Sequence, residues 1–198
     1  MHAQAPERVS APATPLLSLD EVKLFLRIEP EEHEEDSLLG HLIGAATAAL
    51  DGWAGLLGRA LIDQQWRQRL SAFPDEPRLA LPLGPVRAPP QVLYRDPAGA
   101  EQSFADFHLV RTALGPGIAL ADGARWPATA VRPDAVTLTW TAGYGPSPSD
   151  VPEPVRTAAL LLIAHWHQNR EAVVIGTIAT EVPWGLRQLI AQLRACGT

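Results

Sequence analysis

Cysteine is almost absent from this chain. Cys196 is the only one, which excludes an internal disulfide framework and any cysteine-based zinc site. Basic residues are also short: 16 Lys and Arg against 22 Asp and Glu leave a formal net charge of −6. That balance argues against a protein built to grip nucleic-acid phosphates, which needs a basic surface. It remains compatible with a protein that DNA slides past. The N-terminal stretch MHAQAPERVSAPATP has no apolar core of the kind a signal peptide carries, so a soluble cytoplasmic protein is expected. The P-loop, G-x-G-x-x-G, G-x-S-x-G and H-E-x-x-H patterns are all missing, which removes the common phosphate-loop, nucleophile-elbow and zinc-protease readings.

Hydrophobic residues make up 46% of the chain and charged ones 19%, a globular composition with enough apolar material for one proper core. The stretch that organises the rest is Val151 to Val173, VPEPVRTAALLLIAHWHQNREAV. Pro152 and Pro154 suit a helix entrance, because proline in the first turn sacrifices no internal hydrogen bond. From Val155 to Trp166 the stretch is apolar nearly all round, the signature of a buried helix packed on several faces. At about 22 Å it is too short to cross a bilayer. A central core helix over 153–170 is expected, and no membrane partner.

Other segments must cover that helix. Residues 1–15 are Ala/Pro-rich without periodicity, which predicts a flexible N-terminal arm. Ser18 and Glu21 form a capping-box pattern opening a helix over 18–28, with Val22, Phe25 and Leu26 at helical spacing. The acidic run Glu29 to Asp36 predicts a solvated loop, since it lacks the alternating order of a calcium loop. A second helix is expected over 36–57, its stripe formed by Leu39, Leu42, Ile43, Ala46, Ala49, Leu50, Trp53 and Leu57, ended by Gly55 and Gly58. Its alanines and glycines would let the central helix approach closely.

The period then changes to a β-rich region over 61–142. Ile62, Trp66 and Leu70, with Gln64 and Gln68 between them, predict an exposed strand. Leu79, Leu81 and Leu83 predict an edge strand bounded by prolines. Asp96-Pro97-Ala98-Gly99 carries type I turn preferences within a hairpin. Strands around FHLVR and Ile118 to Leu120 would be joined by Gly115-Pro116-Gly117. Val136, Leu138 and Trp140 alternate with threonines in the clearest strand of the chain. Gly143-Tyr144-Gly145 reads as a tight strand exit. A tail over 176–198, with a short amphipathic helix from Trp184 to Arg194, closes the sequence, and 16–175 is expected as one domain. Helices, sheet, then helices without βαβ alternation mean an α+β fold: a small helical bundle around a buried central helix, with an antiparallel β-rich insertion.

Catalytic chemistry finds little support. His165 and His167 lie i, i+2 on a helix, about 200° apart, and cannot share one ion. His33, His41 and His108 have no companions at ligand spacing, so no metal, cofactor or catalytic set is expected. A polar cluster at Asn169, Arg170 and Glu171 keeps open the alternative of a small metal-dependent hydrolase or nuclease; a generic interaction scaffold is a third reading. Six tryptophans favour an interaction protein, because tryptophan is enriched at protein contacts. Trp53 and Trp166 are expected in the core. Trp66, Trp126 and Trp184 have polar neighbours.

Several pieces, read in order, resemble the head–tail connector (adaptor) proteins of long-tailed phages and phage-derived gene transfer agents. They are LSLDEVKLFLRI (17–28), DSLLGHLIGAA (36–46), GRALIDQQW (58–66), LPLGPV (81–86), VTLTWTAGYG (136–145), VPEPVRTAALLLIAHWHQNRE (151–171) and VPWGLRQLI (182–190). The resemblance implies a virion structural protein without catalytic residues. It implies a ring, typically of twelve copies, below the portal protein, continuing the DNA channel toward a stopper-like neck or tail-completion protein. Assembly would take place in the producer cell's cytoplasm, ending in the particle neck. A closed ring needs head-to-tail contacts between two different surfaces. Trp66, Tyr94 and Trp126 are expected to supply the subunit interface. Trp184, Leu186, Arg187, Leu189, Ile190 and Leu193 are expected to meet the portal.

Overall fold

The computed structural model describes residues 1–113, 115–169 and 184–194. The chain runs β1 (Glu7–Ser10), α1 (Leu19–Leu26), α2 (Asp36–Leu50), β2 (Gln64–Leu70), β3 (Arg78–Ala80), β4 (Gln91–Arg95) and β5 (Glu101–Phe104). It continues through β6 (Phe107–Thr112), β7 (Gly115–Leu120), β8 (Val136–Ala142), α3 (Glu153–Gln168) and α4 (Trp184–Leu193). The α+β expectation holds. The strands form an antiparallel five-stranded sheet in the order β1-β2-β8-β4-β5 and a three-stranded sheet in the order β3-β7-β6.

The expected central helix is α3. Val155, Ala158, Ala159, Leu160, Leu162 and Ile163 are buried on it, a broad face of about 200° at roughly 100° per residue. Leu161 on the opposite side is exposed, so the helix is not buried all round as its composition suggests. It packs against α2, α4 and α1. Ala46 of α2 and Ala158 and Ala159 of α3 are fully buried in the same cluster, and their small side chains are what let helices approach closely. Replacing Ala46 with leucine should therefore force the packing apart, at a cost of about 1–3 kcal/mol. A thermal melt within 1 °C of the parent would contradict this account of the contact.

α2 ends seven residues earlier than its apolar stripe suggests, at Leu50 rather than Leu57. Asp51 adopts an extended conformation and its N–H closes the last turn on the Thr47 carbonyl at 2.8 Å. Gly52 then takes φ +85°, and a Cβ there would lie 3.0 Å from the Arg8 guanidinium and 3.3 Å from the Trp66 ring. Leu57 is still buried in the helical cluster, but Trp53, expected in the core, is 42% exposed on the bend. Phe25 is likewise outside the core, and Trp166 packs against it half-buried.

The acidic run is not merely a solvated loop. Lys23, the only lysine in the sequence, is 2% exposed. Its Nζ donates to the carbonyls of Glu32 (2.6 Å) and Pro30 (3.2 Å) and pairs with Asp36 Oδ1 (2.6 Å). Arg27 ends α1 in the left-handed region at φ 62°, with the Ile28 N–H returning to the Lys23 carbonyl. The run's backbone thus folds back around an ammonium group.

The sheet region departs from expectation at its start. Residues 1–15, expected as a flexible arm, contribute β1, which pairs with β2 as Glu7↔Arg67 and Arg8↔Trp66. Ala3 bridges Leu70, and the Ser71 N–H reaches the His2 carbonyl. The segment has no apolar alternation because both of its faces are exposed; backbone pairing and Arg8, not burial, fix it. β2 consequently lies inside the sheet and is not an exposed strand. Its period of two puts Gln64, Trp66, Gln68 and Leu70 on one buried face. The two glutamines are tolerated there because each amide has a partner: Gln64 on Asp51, Gln68 on the Gln4 carbonyl at 2.9 Å.

Elsewhere the pattern is as read. Val136, Leu138 and Trp140 are buried on β8. Leu79, Leu81 and Leu83 are buried, with β3 on an edge. The β4–β5 hairpin closes with Gly99 N–H on the Asp96 carbonyl at 2.8 Å. Gly115-Pro116-Gly117, expected as a connector, lies within β7 instead. Gly143 leaves β8 at φ +151°, where a Cβ would stand 2.4 Å from the Asp63 nitrogen, so the tight exit is real. α3 stops at Gln168, two residues before its expected end, and residues 176–183 of the expected tail, together with Cys196, lie outside the described residues.

Candidate assembly surfaces

The helical layer and the five-stranded sheet are joined at the C-terminal end of α2 by Asp51, 5% exposed. Its carboxylate accepts the Leu61 N–H (2.7 Å) and the Gln64 side-chain amide (2.9 and 3.0 Å). Arg8 reaches it at 3.4 Å from β1 while lying over the Trp66 ring, 5.4 Å from the centroid. Three elements remote in sequence therefore meet on one carboxylate. At the other end of α2, His167 Nε2 is 2.7 Å from Glu35 Oε2. Arg156 of α3 pairs with Glu21 of α1. These contacts fix the helices relative to one another. His167, weighed above as a metal ligand, thus has a structural use in its contact with Glu35.

Among the described residues no group of three or more His, Cys, Asp or Glu is placed to hold a metal ion. His165 and His167 have different neighbours: the Asn169 side-chain nitrogen lies 3.4 Å from His165 Nδ1, while His167 engages Glu35. Asn169 is the one described member of the polar cluster; Arg170 and Glu171 lie outside the described residues. No described helix is long and apolar enough to cross a membrane.

The expected subunit-interface residues are used internally. Trp66 is 4% exposed and sits opposite Trp140 across the β2–β8 ladder. It is a core residue, because its alternation partners all face inward. Trp126 stacks on Phe73 at 4.9 Å and donates its indole N–H to the Glu76 carbonyl at 2.8 Å. Tyr94 meets Phe73 edge-on at 5.8 Å. This half-buried aromatic group, with Phe104, holds the chain around Trp126 against the sheet; it is not a free patch.

Of the expected portal-contact residues, Trp184 opens α4, and Leu186 and Ile190 are buried against the α3 core. Leu189 and Leu193 pack partly against it, leaving Arg187 exposed. The amphipathic period was legible, but the apolar side is already occupied by this chain.

Two surfaces have features that suit assembly. The first is the α1–α2 loop, where Glu29, Pro30, Glu31, Glu32 and Glu34 are all exposed. The second is a groove of about 410 Å³ beside the exit from β8. Its floor is formed by Pro85, Val86, Pro116 and Tyr144, and Arg87 and Arg111 flank it. Arg111 is held by a 3.0 Å bond to the Val86 carbonyl, Arg87 by Asp63, and the Tyr144 hydroxyl by Arg59 at 2.7 Å. Sequence reasoning missed this groove, since its residues come from three separate stretches.

Residues 17–85 match the family described as phage gp6-like head-tail connector protein. No curated protein matches the chain in sequence. Among solved structures, a chain from the neck of an empty gene transfer agent (GTA) particle, computed with C6 symmetry, is 28% identical with a TM-score of 0.77. A chain from the virion of a native GTA particle is 28% identical with a TM-score of 0.74. One from the neck of a native GTA particle, computed with C12 symmetry, is 25% identical with a TM-score of 0.69. Each similarity covers 97% of this chain and 96% of the other. Over residues 17–85 the chain is therefore similar in sequence to phage gp6-like head-tail connector proteins, and over nearly its whole length it is similar in fold to a chain of the GTA particle neck.

Proposed function

We propose that this protein is a structural component of a phage-like particle neck and not an enzyme. It forms a ring, of twelve copies, that binds the portal of the DNA-filled head, continues the DNA channel and presents a platform to a stopper-like neck protein. The observation that carries this reading is the likeness to GTA neck chains over 97% of the sequence at a TM-score of up to 0.77. A net charge of −6 suits a channel wall, because packaged DNA passes an acidic surface without sticking. Assembly takes place in the producer cell's cytoplasm and ends in the particle.

Portal-bearing heads incubated with the purified protein should gain a ring beneath the portal in negative-stain images. Heads unchanged at saturating protein would overturn the reading.

The α4 segment is the proposed portal-facing element, through its outer side. Deleting 176–198 would also remove Leu186 and Ile190 from the core, so substitutions at exposed positions make the cleaner test. Arg187→Glu with Ala191→Glu should leave the melting temperature within about 2 °C, as surface changes do, and abolish joining to heads. Normal joining by that variant would place the portal contact elsewhere.

A further inference from the structure

We propose that neighbouring copies meet by seating the acidic α1–α2 loop of one in the arginine-flanked groove of the next. This inference rests on the ring reading above and names the two surfaces that such a ring brings together.

A closed ring uses heterologous contacts, so each copy must carry two different and complementary surfaces on opposite sides. The loop and the groove meet that requirement. The loop lies at the N-terminal end of α2, next to Asp36 and Glu35. The groove lies toward the other end, where Tyr144 N–H bonds to the Leu61 carbonyl and Leu61 N–H to Asp51, the residue that ends α2. A helix of 15 residues separates those ends by about 22 Å.

The chemistry is complementary as well. Glu29, Glu31, Glu32 and Glu34 are exposed, and no ion pair occupies their carboxylates among the described residues. Facing them would be Arg87 and Arg111, whose planar guanidinium groups recognise carboxylates in a defined geometry. Pro30, exposed between the glutamates, offers an apolar contact to the floor of Pro85, Pro116 and Tyr144. Both partners are preorganised. Lys23 pins the loop through the Pro30 and Glu32 carbonyls, and Val86 and Asp63 hold the two arginines. Docking then orders few new side chains, which lowers the entropy cost of association.

The test uses full-length chains and purified portal as the assembly template. One variant carries Glu31→Lys and Glu32→Lys, which leaves the Glu32 carbonyl that Lys23 uses. A second carries Arg111→Glu. Circular dichroism and melting should match the parent for both. Each alone should lose rings on the portal. An equimolar mixture should regain them, because in a ring that alternates the two variants every junction again brings opposite charges together. Raising the salt concentration from about 0.05 to 0.5 M should weaken assembly of the parent, as expected of exposed charges. Rings formed normally by either variant alone, or a mixture that stays unassembled, would overturn the contact while leaving the ring itself standing. A parent chain that never assembles on the portal would overturn both. Should the charge reversals disturb folding, Glu31→Gln with Glu32→Gln gives the same comparison, with at least a tenfold rise in the protein concentration needed for rings.

Discussion

Asp51→Ala is expected to lower the melting temperature by about 6–12 °C, the largest loss from any single polar substitution considered in this chain. The carboxylate is buried and accepts three hydrogen bonds, from the Leu61 backbone and the Gln64 amide, with Arg8 beside it. Alanine leaves the buried Leu61 N–H without its acceptor, at about 1–3 kcal/mol, and leaves the Gln64 amide only its longer bond to the Ile62 carbonyl at 3.3 Å. Breaking a buried charge pair costs about 3–5 kcal/mol. The Arg8 side chain is 39% exposed and can turn to water, so the lower end, about 3 kcal/mol, is the better figure. For a chain of this size each kcal/mol moves the melting point by about 2–4 °C. Asp51→Asn keeps an acceptor for Leu61 and should cost less than half as much. Calorimetry on the two variants decides the matter: equal shifts would mean that the hydrogen bonds contribute nothing distinct from the charge.

Lys23→Met is the second large effect, and its signature is local opening as well as lost stability. Methionine preserves the buried stem but removes the ammonium that the Pro30 and Glu32 carbonyls and Asp36 share. Those acceptors lie near the surface and can recover water, so the loss should be about 2–3 kcal/mol rather than the full cost of an orphaned buried charge. Protease cleavage between residues 27 and 36 should accelerate at least tenfold. Cleavage at the parent rate would show that the loop holds its shape without Lys23.

The same site sets a pH dependence. The hydrogen bond from Lys23, and secondarily that from His33, holds the Asp36 carboxyl below its ordinary value. A carboxylate that is harder to protonate folded than unfolded stabilises the protein above its unfolded pKa. That contribution fades as pH falls from about 4 through the lower folded value. The parent should therefore lose more stability than Lys23→Met between pH 5 and pH 3. Parallel stability curves for the two proteins would contradict it.

How much of this was legible in the sequence varied with the physics of each element. The strict alternation of Val136, Leu138 and Trp140 reported burial directly, because burial selects side chains one by one, and the apolar run of α3 reported its broad buried face but not the exposure of Leu161. β1 carried no such signal: its residues are exposed on both faces, and what places them is backbone pairing with a strand about 57 positions away. Gln64 and Gln68 looked like an exposed face because their amide partners, Asp51 and the Gln4 carbonyl, are invisible to a local window. Trp53 continued a helical stripe on paper, yet the Asp51–Gly52 bend took it out to solvent. The assembly surfaces fared similarly. The acidic loop was visible as composition and the lysine at its centre was not recognised. The groove draws on residues 85–87, 111–112, 115–116 and 144, and no reading along the chain unites them.

Among the described residues, β8 alone joins the two halves of the large sheet: it pairs with β2 on one side and β4 on the other. The pairing Gln64↔Ala142 spans most of the middle of the chain. During synthesis β1 and β2 can zip together early, and β4 and β5 can form their hairpin, but the two ribbons have no common neighbour until Ala142 has emerged. Each carries an unsatisfied row of backbone donors and acceptors for that interval. Contacts of such long sequence separation are slow to form. The nascent chain is thus most open to wrong pairing in the window between the emergence of β5 and that of β8.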